Sequence, residues 1–114
     1  MNSTEITCVV IPLSQFYANG LQRVELYVCT ESIPSVEKPR PGERVIITFS
    51  TRLGDYQGGL RNNLDQYPYV CPDLRTKVGD KTNLATVLRD NGVKPHDRVK
   101  ISVSDRTWTL LRLA

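Results

Sequence analysis

Hydrophobic and polar positions along the 114 residues alternate with a period of two in several separate stretches and follow a helical period in one short stretch. Residues 6–13 (ITCVVIPL) form a continuous apolar run rich in β-branched side chains, which predicts a central strand covered on both faces. Residues 23–30 (RVELYVCT) set Val24, Leu26 and Val28 against Glu25, Tyr27 and Cys29, the pattern of a half-buried strand. In residues 44–52 (RVIITFSTR), Val45, Ile47 and Phe49 fall on one face and Ile46, Thr48 and Ser50 on the other.

Between and after these runs the pattern breaks. Pro34, Pro39 and Pro41 remove backbone donors from residues 32–42, so neither a helix nor a strand ladder is expected there. Residues 53–81 are polar and punctuated by Gly54, Gly58, Gly59, Asn62, Asn63, Pro68 and Pro72, which predicts one long loop with a short strand at residues 69–71. The glycines of GDYQGG are expected in turns. Thr82 or Asn83 caps a short helix in which Leu84, Val87 and Leu88 share a face, Gly92 supplies the left-handed stop, and Pro95 blocks continuation. Residues 98–104 (RVKISVS) alternate cleanly, and after a tight turn at Asp105 and Arg106 residues 107–113 (TWTLLRL) pair back as a hairpin, with Trp108 expected as a packed or half-exposed aromatic, not a ligand platform. Five or six strands with one short helix predict a mainly β fold, a small barrel or pseudobarrel with the helix plugging one end, in a single domain spanning residues 1–114.

Composition narrows the chemistry. At this length about two-thirds of the unfolded surface can be buried, enough for a core without disulfides or metal. One histidine, His96, rules out a multi-histidine metal site, and scattered Asp55, Asp65, Asp73 and Asp80 read as solvated loop carboxylates. Cys8, Cys29 and Cys71 are odd in number, widely spaced and set in apolar runs, the usual setting of buried inert thiols in a reducing cytoplasm. The apolar stretch near the N-terminus is too short for a signal segment or membrane span. No Gly-x-Ser-x-Gly or phosphate-loop order is present, and His96 and Asp97 read as turn residues, so neither a catalytic group nor a cofactor is expected.

The net charge of +3 is unevenly spread: residues 1–37 hold one cation against four glutamates, a net −3, and residues 38–114 hold fourteen cations against eight carboxylates, a net +6. Within the second part, Arg52, Tyr56, Arg61, Tyr67, Tyr69, Arg75, Lys77 and Lys81 interleave cations with aromatics. Cations neutralise phosphates and tyrosine rings stack on unpaired bases, while Asn62, Asn63 and Gln66 add amides of the kind that read adenine edges. These eight residues are the candidate nucleic-acid contacts, for a single- or double-stranded partner. The alternative is a structural or self-assembling domain, favoured if the first strand lies at an edge where a second copy would cover it.

The stretch TNLATVLRDNGVKPHDRVKISVSDRTWTLLRL resembles the end of the plant-type DNA-binding pseudobarrel domain and of the effector domains of some restriction endonucleases. There a short helix leads through a Gly-Leu-Lys-x-Gly-Asp turn into a strand and a closing hairpin. The matching residues are Leu84, Leu88, Asn91, Gly92, Val93, Lys94, Asp97 and Val99, with His96 where the turn usually has glycine. The resemblance implies a pseudobarrel and DNA binding, and it transfers no binding residue because the family's base-contacting loops have no counterpart in residues 1–81.

Overall fold

The computed structural model describes residues 3–114. Nine strands and one α-helix follow in the order β1 (Thr4–Phe16), β2 (Gln22–Val28), β3 (Val45–Thr51), β4 (Gly54–Asn62), β5 (Pro68–Val70), β6 (Asp73–Thr76), β7 (Lys81–Asn83), α1 (Leu84–Asp90), β8 (Arg98–Ser104) and β9 (Thr107–Leu113). The sheet runs β3-β9-β8-β1-β2-β5-β4-β6-β7, and β3 also pairs with β4, so seven strands close into a barrel and the β6–β7 hairpin hangs from its rim. The fold is mainly β with one short helix, as the pattern predicts, but with more strands than the five or six expected.

Period two sorts each strand. Ile6, Cys8 and Val10 of β1, Val24, Leu26 and Val28 of β2, Ile47 and Phe49 of β3, and Val99 and Ile101 of β8 point inward to one core, closed by a fully buried Trp108. β1 is indeed central, paired antiparallel with β2 over Cys8–Pro12 and with β8 over Thr4–Val9. The edge position on which the self-assembly alternative depended is therefore not occupied by this strand.

Two expectations are corrected. Residues 53–81 form β4, β5, β6 and the start of β7 rather than a loop: on β4, Tyr56 and Leu60 pack inward, and the space over Gly58 is filled by Leu74. A Cβ on Gly58 would stand 2.8 Å from Leu74 Cδ2, and one on Gly59 would fall within 2.7 Å of Arg44 Nη2. Both glycines mark close approach inside a strand, not turns. A 3₁₀ turn spans Thr30–Ser35 and so runs into the start of residues 32–42, with Pro34 inside it. Proline fits there because its fixed φ suits the turn, whose closing bonds run from Ser32 N–H to Cys29 O and from Val36 N–H to Ile33 O.

The C-terminal unit follows its local signals. Asn83 Oδ1 accepts the Thr86 N–H at 2.8 Å, and Leu84, Ala85, Val87 and Leu88 are buried against β2 and β7. Gly92 takes φ +79° after the helix, and Asp97 Oδ2 accepts the Lys94 N–H at 2.8 Å in the turn that follows. His96 sits at φ +73°, the left-handed conformation that glycine supplies without strain. A β-carbon there costs about 1–2 kcal/mol, partly offset by the greater unfolded-state freedom of glycine. His96→Gly is expected to raise the urea midpoint, with a net gain of about 0.5–1 kcal/mol, because the His96 N–H bond to Val10 O is a backbone bond and survives.

Candidate nucleic-acid interface

The outward positions of β3 to β7 are set by register. Arg61 stands opposite Tyr69, Gln57 opposite Arg75, and Arg75 opposite Lys81, so these side chains share the outer face of the sheet. On the neighbouring strand Tyr27 stands opposite Tyr69, and their rings stack with centroids 5.0 Å apart and planes inclined by 24°. Arg44, just before β3, rests on the backbone of β4 at Gly59. The outer face thus runs from an aromatic end at Tyr27 and Tyr69, through Arg61 and Arg44, to Arg75 and Lys81. A groove of about 630 Å³ lined by Arg44, Gln57, Asp73, Arg75 and Lys81 occupies its cationic half.

The electrostatics of this strip are one-sided. Arg44, Arg61, Arg75 and Lys81 take part in no ion pair among the described residues. The nearest carboxylate lining the groove, Asp73, is 3.7 Å from Arg23 and thereby engaged. Arg75 is held in place by its Nη1, which donates to Gly79 O at 2.9 Å. At the aromatic end the Tyr27 hydroxyl donates to Glu25 Oε1 at 3.1 Å, and burial together with that carboxylate pushes the phenol up to about 12. Tyr27 therefore stays a neutral donor at physiological pH.

The eight residues singled out from the sequence divide accordingly. Arg61, Tyr69, Arg75 and Lys81 come together on this face. Tyr67, 37% exposed, lies beside Tyr27 on a groove that continues over the outer side of β1, where its backbone N–H is tied to Asn63 Oδ1. Tyr56 points inward opposite Phe49 and packs on the core, so it offers no stacking platform. Lys77 pairs with Asp55 at 3.9 Å, and Arg52 occupies the β3–β4 turn at the far end of β4, about 24 Å along the strand from Arg61 at the usual rise per residue. Arg44 and Tyr27 were missed. Both belong to outward positions of other strands, so a search over outward strand positions in place of one presumed loop would have found them.

Cys8, Cys29 and Cys71 are free and buried, as their apolar settings predict. Burial, reinforced by Cys29, pushes the Cys8 thiol far up, and burial also raises Cys71 against the opposing pull of Arg44 and Arg61. Among the described residues no three histidine, cysteine, aspartate or glutamate side chains converge as metal ligands, and no helix is long and apolar enough to cross a membrane. Neither family models, curated proteins nor solved structures match the chain.

Proposed function

We propose that the protein is a non-catalytic nucleic-acid-binding module that lays the outer face of β4 to β7 along a phosphate backbone. The observation that supports this reading is the gathering of Arg44, Arg61, Arg75 and Lys81, all without ion pairs among the described residues, beside the half-buried Tyr27–Tyr69 stack. Surface charges of folded domains are ordinarily interspersed in sign, and a strip in which cations outnumber carboxylates beside aromatics fits a polyanion whose bases lie within stacking reach. The resemblance of the C-terminal stretch to DNA-binding pseudobarrels points the same way and rests on those residues alone.

Four phosphate contacts fix the expected salt dependence. Between about 50 mM and about 200 mM salt, affinity should fall about 50-fold for a single strand and about 150-fold for a duplex. Titration of fluorescently labelled single- and double-stranded oligonucleotides at both salt concentrations measures this directly. Absence of binding at the lower concentration, or binding that ignores salt, overturns the reading.

A further inference from the structure

Arg44 and Arg61 form a pair that folding alone does not explain. β3 and β4 are antiparallel with Val45 opposite Leu60, and one further step in the same register sets Arg44 opposite Arg61 on the outer face. Like charges directly opposite one another on a sheet are destabilising, and neither guanidinium has a carboxylate partner among the described residues. Both also oppose the effect of burial on the Cys71 thiol. Asp73, which lines the groove beside Arg44, lies 3.7 Å from Arg23, and Glu25 accepts the Tyr27 hydroxyl at 3.1 Å.

Gly59 lies beneath this pair. A Cβ there would come within 2.7 Å of Arg44 Nη2 and closer still to Nε and Cζ. The absent side chain is what lets the guanidinium rest on the β4 backbone, so its rotamer freedom is already reduced before any ligand arrives. Gly59 does not have positive φ, so no backbone strain demands glycine at this position. Two arginines at facing register positions, with no ion-pair partner among the described residues, offer several N–H donors to a tetrahedral anion, the geometry that arginine offers to phosphate.

We propose that Arg44 and Arg61, over Gly59, form the seat for one phosphodiester of the bound strand, with Gly59 acting as the positioning residue for Arg44. The inference rests on the nucleic-acid reading above and deepens it by assigning a phosphate to a specific pair. Tyr69, opposite Arg61, then lies beside the seat where a base attached to that phosphodiester can reach its ring.

The test is a double-mutant cycle read by binding of a fluorescein-labelled oligothymidylate across a salt series. Arg44→Ala is expected to lower the slope of log affinity against log salt by about one, the loss of one phosphate contact. Gly59→Ala keeps the charge but frees the side chain, and should weaken binding about two- to tenfold, the effect of having to immobilise it again on binding. In the Arg44→Ala background the same glycine substitution should change nothing. Thermal melts of all variants show whether each is folded, and Arg44→Ala alone decides the phosphate contact if Gly59→Ala does not fold. An unchanged slope for Arg44→Ala, or an equal effect of Gly59→Ala in both backgrounds, overturns the seat while leaving the binding function intact. No binding by the unsubstituted protein removes both.

Discussion

Leu88→Ala should destabilise the domain by about 3–5 kcal/mol, in the upper part of the range for leucine truncation in a core. Leu88 is 1% exposed and projects from α1 into the shared core. A hollow of about 90 Å³ already lies between α1 and the β1–β2 hairpin, lined in part by Val10, Val24, Leu88 and Val93. Removing the leucine side chain enlarges a space that its neighbours have not collapsed to fill, so the cavity contribution is added nearly in full. The helix has seven residues, too few to hold together without packing, so its cap and its core contacts are lost together. A domain of this size commonly has about 5–15 kcal/mol in total, which makes the variant marginal or unfolded. Lys77→Ala is the control: its side chain is 75% exposed and its pairing with Asp55 at 3.9 Å is a surface ion pair worth at most about 1 kcal/mol. Urea denaturation of the two variants should separate them clearly. Near-neutral Leu88→Ala beside strongly destabilised Lys77→Ala would reverse the assignment of core and surface.

The parts of the fold that could be read from the chain are those whose determinants sit within a few residues of one another. The cap at Asn83, the apolar face of α1, the stop at Gly92 and the Asp105–Arg106 turn are all local, and each appears where its signal lies. β4 was hidden for the opposite reason. Its inward alternation, Gly54, Tyr56, Gly58 and Leu60, lacks a side chain at two of four places, and the residues that require glycine, Leu74 and Arg44, lie sixteen and fifteen positions away in sequence. A glycine pair that permits close approach has the same one-dimensional signature as one that makes a turn. The interface inherited that ambiguity. Once 53–81 is taken as strands, period two turns Tyr56 inward and sends Arg61, Tyr69 and Arg75 outward, while the register with β2 and β3 adds Tyr27 and Arg44, which no property of residues 53–81 could supply.

The adjacent glycines of β4 provide the second large effect, because the same substitution one residue apart should have opposite consequences. At Gly58 a Cβ would stand 2.8 Å from Leu74 Cδ2 and 3.9 Å from Ile47 Cγ1 and Val70 Cγ1. Leu74 is 2% exposed, so its methyl group has nowhere to retreat except into other core atoms. Gly58→Ala is therefore an overpacking change, costing about 1–3 kcal/mol, against which the gain from stiffening the unfolded chain is about 0.4–1 kcal/mol. At Gly59 the obstacle is the end of an exposed arginine side chain, which a Cβ would displace into solvent without disturbing the core. Gly59→Ala should then leave stability unchanged or raise it slightly through the unfolded state. Calorimetric melts should place Gly58→Ala several degrees below the parent protein and Gly59→Ala level with it or above, at about 4 °C per kcal/mol for a chain of this length. Equal melting temperatures would mean that Leu74 does not press on β4 as the geometry requires. A loss confined to Gly59→Ala would mean that Arg44 braces the barrel, and its charge would then be structural, leaving no free fork for a phosphate.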